Sequence, residues 1–170
     1  MKGLIHIYCG DGKGKTTAAL GLGLRAAGAG KQVVLAQFLK TGQSSELTSI
    51  GKVPGFQVLP ARAPVKFVFL MTDEEKEACR KICMDLFEKA AQTDCDMLIL
   101  DEITAAVRLS MVPLGRVLDF LRGKPEKLEV VLTGRDPAAE LCALADYISE
   151  IKMIKHPYEQ GIPAREGIEW

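Results

Sequence analysis

The chain shows no excess of charge of either sign. Its 170 residues carry 22 lysines and arginines against 22 aspartates and glutamates. That balance removes the electrostatic footprint of a nucleic-acid or anionic-membrane binder. Histidine is scarce: His6 and His156 are far apart, and neither is near a cysteine pair that would complete a metal site. No apolar run reaches the length of a membrane span, so no membrane association is expected. No basic segment leads into an apolar stretch at the N-terminus; no secretory signal is read there, and a cytoplasmic location is expected. The five cysteines are an odd number, and free thiols are the natural reading. Cys79 and Cys83, one helical turn apart, read as part of a core stripe. Cys9, Cys95 and Cys142 read as small apolar fillers.

What is present is a 48% hydrophobic fraction, enough for a real core at this length. Residues 1–170 read as one domain, without repeats or an interdomain linker. Strand candidates fall at 4–8, 32–38, 56–59, 96–100, 128–133 and 147–154, several of them continuous Val/Ile/Leu runs of the kind buried on both faces of a parallel sheet. Helical stretches alternate with them. The first should run from Lys15 to about Ala29, with Gly21 and Gly23 allowing close approach to the sheet. A long one should start at Thr72, where Thr72 and Glu75 match a capping box, and bury Ala78, Cys79, Ile82, Cys83, Leu86, Phe87, Ala90 and Ala91. Pro113 should open a helix over residues 114–121, and Asp136-Pro137 should supply an N-cap and first helical position. The alternation implies a three-layer α/β fold with a mostly parallel sheet of about six strands. Segment 41–70 is irregular, and a loop of that length is usually functional.

Between the first strand and the first helix lies Cys9-Gly10-Asp11-Gly12-Lys13-Gly14-Lys15-Thr16-Thr17. Glycines there let successive N–H groups turn inward around an anion, with the positive end of the helix behind them. Lys15 supplies a charge for phosphate oxygens and Thr16 a hydroxyl for a phosphate-bound magnesium. The loop is one residue shorter than the common form, and Asp11 puts a carboxylate into it, so Asp11 is expected to point away from the phosphates or to be offset by Lys13. Downstream, Met97-Leu98-Ile99-Leu100 ends in Asp101-Glu102, the pattern of a strand beside the first that places an Asp at magnesium. Glu102 is read as orienting water or contacting the metal.

With these residues in hand, the chain resembles the P-loop ATP:corrinoid adenosyltransferases of cobalamin synthesis and salvage. The resemblance covers nearly the whole chain: Gly10 to Ala19 with the same short loop, Gln37-Phe38-Leu39-Lys40, Leu100-Asp101-Glu102, Leu132-Thr133-Gly134-Arg135, and the tail Ile154-Lys155-His156-Pro157-Tyr158 with Gly161 to Arg165 and Gly167-Ile168-Glu169. Asp11 stands where the family usually shows Asn. The resemblance implies a P-loop NTPase (RecA-like) fold and transfer of the 5′-deoxyadenosyl group of ATP to Co(I) of a corrinoid, with triphosphate released. ATP, Mg²⁺ and the reduced corrinoid are then the small-molecule partners. A flavin-dependent or flavodoxin-type reductase and a homodimeric state are further implications.

On that reading Lys15 and Glu102 carry the chemistry, and Thr16, Asp101 and Glu102 hold the metal. Gly10, Asp11, Gly12, Lys13, Gly14, Lys15, Thr16 and Thr17 bind the triphosphate. Arg135 is either a phosphate contact or a surface arginine. Phe67 and Phe69, with Phe56 as a candidate that equally suits the core, wall off the lower corrin face. Lys155, His156, Tyr158 and Arg165 contact ribose, phosphate or corrin side chains. The competing reading is a P-loop ATPase or kinase that moves the γ-phosphoryl group, and a nucleotide-dependent binding switch is a third.

Overall fold

A computed structural model describes residues 2–40, 42, 44–60, 66 and 68–168. Its elements follow one another as β1 (Ile5–Cys9), α1 (Lys15–Gly28), β2 (Val33–Gln37), α2 (Ser45–Ile50), β3 (Phe56–Val58), α3 (Asp73–Gln92), β4 (Met97–Asp101), α4 (Ile103–Arg108), α5 (Leu114–Gly123), β5 (Glu129–Thr133), α6 (Ala139–Leu144) and β6 (Tyr147–Glu150). Single 3₁₀ turns lie at Val68–Leu70 and Pro157–Gln160. Among the described residues the strands form one six-stranded sheet in the order β3-β2-β4-β5-β1-β6, with every pairing parallel.

The apolar runs explain the layering. Every residue of β2 and β4 is buried, as strands with cover on both faces must be. Alternate residues feed two cores. Leu98 and Leu100 of β4 join Cys79, Cys83, Leu86 and Phe87 of α3, while Met97 and Ile99 join Ala19 and Ala26 of α1. Helix α3 begins at the capping box that its sequence announces. Thr72 accepts the Glu75 N–H, and Glu75 accepts the Thr72 N–H at 2.9 Å. Its buried stripe is narrower than expected, since Ala78 faces solvent.

Several expectations are corrected. The strands beside β1 are β5 and β6, not β4, so the Asp101 strand lies one position further into the sheet. The last strand ends at Glu150, because Ile151 turns aside to bond the loop after β1. Asp136 does not cap a helix. Its backbone is left-handed (φ 48°), where a cap is extended, and α6 starts at Ala139. Gly21 faces open space, whereas a Cβ on Gly23 would lie 2.9 Å from Ile99 and from the Phe56 ring, so Gly23 alone serves close approach to the sheet. Phe56 belongs to the core.

Candidate active site

The C-terminal ends of β1, β2, β4 and β5 bring the charged groups together. Lys15 opens α1 and is almost buried, with its Nζ donating to the Gly12 carbonyl at 2.7 Å. Burial lowers its pKa, and the carboxylate of Glu102 offsets part of that. The first N–H bonded within α1 is that of Ala18, to Gly14 O at 2.8 Å. The N–H groups of Lys15, Thr16 and Thr17 therefore precede the helical ladder at its positive end.

Gly12 behaves differently from the rest of the loop. Its N–H donates to Ile151 O at 2.8 Å, so it is not among the loop N–H groups left to turn inward around an anion. A Cβ on Gly10 would sit 2.4 Å from Ile151 O, and one on Gly12 2.8 Å from the same atom. Both positions require glycine because the chain leaving β6 presses against the loop. Asp11 is exposed, and its Oδ1 accepts the N–H of Met153 at 3.0 Å. That bond holds its carboxyl below the usual range.

Asp101 is the centre of the polar arrangement and is fully buried. Its Oδ1 accepts from Thr16 Oγ1 at 2.9 Å and from Thr133 Oγ1 at 2.6 Å. Its Oδ2 meets Lys40 Nζ at 2.8 Å and accepts from Gln37 Nε2 at 3.1 Å. Thr133 closes β5, so its hydroxyl spans the gap that the intervening strand leaves between β1 and β4. Gln37 also donates to Glu46 Oε1 at 3.1 Å, Ser44 donates to the same atom at 2.8 Å, and Lys40 lies 3.6 Å from it.

Glu102 follows in a left-handed conformation (φ 61°), uncommon for a side-chain-bearing residue and frequent where function holds the backbone. Its N–H donates to Thr133 Oγ1 at 2.9 Å. Burial and then the Asp101 charge raise its pKa, against Lys40, Lys15 and Arg135. Arg135 is exposed, yet its charge acts on Asp11, Lys15 and Glu102, so it stands at the same edge. Among the described residues no three His, Cys, Asp or Glu side chains form a metal-binding group. The donors here suit magnesium instead, which takes one or two carboxylates and keeps phosphate and water oxygens. A buried carboxylate beside a threonine hydroxyl, already drawing an ammonium to itself, has the chemistry of a cation seat.

Phe69 and the expected tail residues lie on the periphery. Phe69 is 78% exposed on the Val68–Leu70 turn, and Phe67 lies outside the described residues. His156 caps the Pro157–Gln160 turn, its Nδ1 accepting the Tyr158 N–H at 3.2 Å, and Lys155, Tyr158 and Arg165 are exposed in the tail. Sequence reasoning missed the roles of Gln37, Lys40, Glu46 and Thr133 around Asp101. The available signal was positional, since Gln37 and Thr133 end strands of a parallel sheet, where sites of such folds gather.

A family model described as ATP:corrinoid adenosyltransferase BtuR/CobO/CobP matches residues 1–170. The chain is 34% identical over 175 residues to the corrinoid adenosyltransferase of Escherichia coli (strain K12), covering 99% of this chain and 86% of that protein. It is likewise 34% identical over 177 residues to the corrinoid adenosyltransferase CobA of Salmonella typhimurium (strain LT2), with 99% and 86% covered. To the corrinoid adenosyltransferase of Pseudomonas aeruginosa it is 29% identical over 178 residues, covering 99% of this chain and 84% of that protein.

Proposed function

The chain belongs to the ATP:corrinoid adenosyltransferase family, and from that premise we propose how its sheet edge handles the two substrates. It is an enzyme that moves the 5′-deoxyadenosyl group of ATP to the cobalt of a corrinoid. The nucleophile is Co(I), whose electron pair forms the cobalt–carbon bond at C5′. The bond between C5′ and the α-phosphate oxygen breaks, its electron pair leaves with the triphosphate, and the cobalt becomes formally Co(III). No phosphorus–oxygen bond is cut. The protein's tasks are to align C5′ with cobalt and to stabilise charge growing on the leaving triphosphate.

One observation carries this assignment: Lys15, Thr16, Asp101, Glu102 and Lys40 converge beside the glycine loop assigned to the triphosphate, which supports electrostatics directed at the leaving group. Lys15 and the N–H groups of Lys13 to Thr17 receive phosphate oxygens, while Gly10, Gly12 and Gly14 shape the cradle. Thr16 and Asp101, with Glu102 behind them, would hold Mg²⁺, which neutralises charge on the triphosphate. Arg135 reaches the phosphates from the β5 turn. Asp11 borders the phosphate site and ties it to the tail.

Phe67 and Phe69 are assigned to the corrin's lower face, where an aromatic wall excludes an axial ligand and favours four-coordinate cobalt. His156 and Arg165 are assigned to the rim of the substrate site. We take residues 1–170 as a single domain. Supply of Co(I) calls for an electron donor, and a flavin-dependent or flavodoxin-type reductase fits that need. Homodimerisation is supported by β6, which is exposed along its length at the sheet edge with Tyr147 and Ile148 about half exposed. The free cysteines suit a reducing compartment, in line with the cytoplasm.

The test is incubation with ATP, Mg²⁺ and chemically reduced corrinoid, followed by the visible spectrum and the nucleotide products. ATP should disappear only with reduced corrinoid, giving inorganic triphosphate and a light-sensitive cobalt–carbon product. Steady release of ADP without corrinoid would overturn the assignment in favour of phosphoryl transfer.

A further inference from the structure

Asp101 has no vacant acceptor side. Two hydroxyls, from Thr16 and Thr133, occupy Oδ1, while Lys40 and Gln37 occupy Oδ2. A divalent ion coming to this carboxylate must displace a donor. The hydroxyls can stay, because Thr16 is itself suited to ligate the ion, and Gln37 is anchored on a buried strand end and also serves Glu46. Lys40 is the group with somewhere to go. It lies just beyond β2, follows a left-handed Leu39 (φ 57°), keeps a quarter of its side chain in solvent, and has Glu46 Oε1 at 3.6 Å as a second anion.

We propose that Lys40 is a resident cation at the metal seat, one that neutralises Asp101 before nucleotide binds and yields its place only when a divalent ion arrives with the triphosphate. The inference rests on the assignment of Asp101 to the metal. The charge arithmetic supports the coupling to nucleotide. An ion arriving alone would set two positive charges beside a displaced ammonium, with Lys15 and Arg135 also near. An ion arriving on a triphosphate brings several negative charges, which can accept both the metal and the released Lys40. Lys40 thereby makes metal uptake conditional on nucleotide, and it is a positioning residue for the metal before catalysis begins.

The experiment reads metal binding directly. Mn²⁺ is titrated into the enzyme with and without ATP, without corrinoid so that ATP is not consumed, and protein-bound Mn²⁺ is read from water-proton relaxation enhancement against a matched Mn²⁺–ATP blank, because ATP chelates the ion by itself. Wild type should take up Mn²⁺ tightly only with ATP. Lys40→Met, with Lys40→Gln as a second neutral variant, should bind Mn²⁺ without ATP at least about tenfold more tightly than wild type. Lys40→Arg, which keeps the charge, should behave as wild type, and Asp101→Asn added to Lys40→Met should abolish the gain. Nucleotide-free binding by both neutral variants no tighter than wild type would overturn the proposal. Failure of the underlying metal assignment has a different signature: Asp101→Asn alone would leave ATP-dependent Mn²⁺ uptake unchanged.

Discussion

The carboxylate of Asp11 accepts the backbone N–H of Met153 at 3.0 Å, joining the phosphate loop to the chain that leaves the last strand. The side chain therefore has a structural partner and a long-range charge effect, and the two can be separated by substitution. Asp11→Asn keeps an acceptor for Met153 but removes the negative charge. It should tighten binding of inorganic triphosphate by about threefold at low salt, and the gain should shrink as ionic strength rises. Isothermal titration at two salt concentrations checks this. Weaker triphosphate binding in Asp11→Asn would show that the charge does not oppose the product.

Lys15→Ala should lower kcat/KM for adenosyl transfer by about 10²–10³-fold, the usual loss for one preorganised donor to developing negative charge. Far-UV circular dichroism should stay native. Activity retained within about threefold, under 1 kcal/mol of barrier, would remove Lys15 from its assigned role.

Replacing Phe67 and Phe69 together by Ala should impair the four-coordinate Co(II) state more than ATP binding. Phe69→Ala alone should shift unfolding free energy by less than about 0.5 kcal/mol, as expected for an exposed side chain. Electron paramagnetic resonance of Co(II) corrinoid with ATP bound reports the first effect. A four-coordinate signal unchanged in the double variant would shift attention from these two residues to the tail.

Gly21 and Gly23 should respond in opposite directions to Ala. Gly23→Ala forces a methyl to within 2.9 Å of Ile99 and Phe56 and should cost about 1–3 kcal/mol, the range for overpacking. Gly21→Ala meets nothing within 4 Å and should gain about 0.5–1 kcal/mol from helix propensity. Urea melts of the two variants decide it, and equal effects would mean that α1 does not lie this close to the sheet.

Stability should fall on the alkaline side. Burial pushes the Cys83 thiol up to about 12, and that of Cys95 up to about 11, from an ordinary value of 9.0. Above about pH 9 the unfolded chain has lost protons that the folded chain still holds, so unfolding becomes easier as pH rises toward the folded values. Each thiol contributes a slope of at most about 1.4 kcal/mol per pH unit in that window and nothing below it. Urea melts at pH 7.5, 9 and 10.5 should show the decline, with a smaller one in Cys83→Ala. An identical decline in that variant would assign the effect to other groups.

The legible parts of this molecule were those with a local signature. Apolar runs marked β1, β2, β4 and β5, the Thr72–Glu75 pair marked the start of α3, and the glycine run before Lys15 marked the turn from β1 into α1. Strand order had no such signature, so the expected neighbour of β1 was wrong: periodicity reports which face a residue takes, not which strand lies beside it. Asp136-Pro137 has the composition of a helix start but the backbone of a left-handed corner. Lys40 was visible as the end of Gln37-Phe38-Leu39-Lys40, one of the stretches that carry the family resemblance, but its contact with Asp101 joins residues 61 positions apart across two strands. Gln37 and Asp101 are paired in register on β2 and β4, and that pairing explains why one carboxylate collects both Gln37 and Lys40, while Thr16 reaches it from the far side of β5.

The bond from Gly12 N–H to Ile151 O has a thermodynamic consequence for the sheet edge. Strand β6 leans on β1 alone and is exposed throughout, which makes it a natural place for the domain to fray. Yet the segment that leaves it buttresses the phosphate loop from behind. If β6 peels away, the loop loses its backing, and a loop without backing cannot meet a triphosphate in finished form. Nucleotide affinity should thus carry a hidden dependence on the opening equilibrium of the weakest strand. Bound ATP should in turn slow amide exchange along Tyr147–Glu150, on a strand that donates no side chain to the phosphate-loop and Asp101 contacts described above.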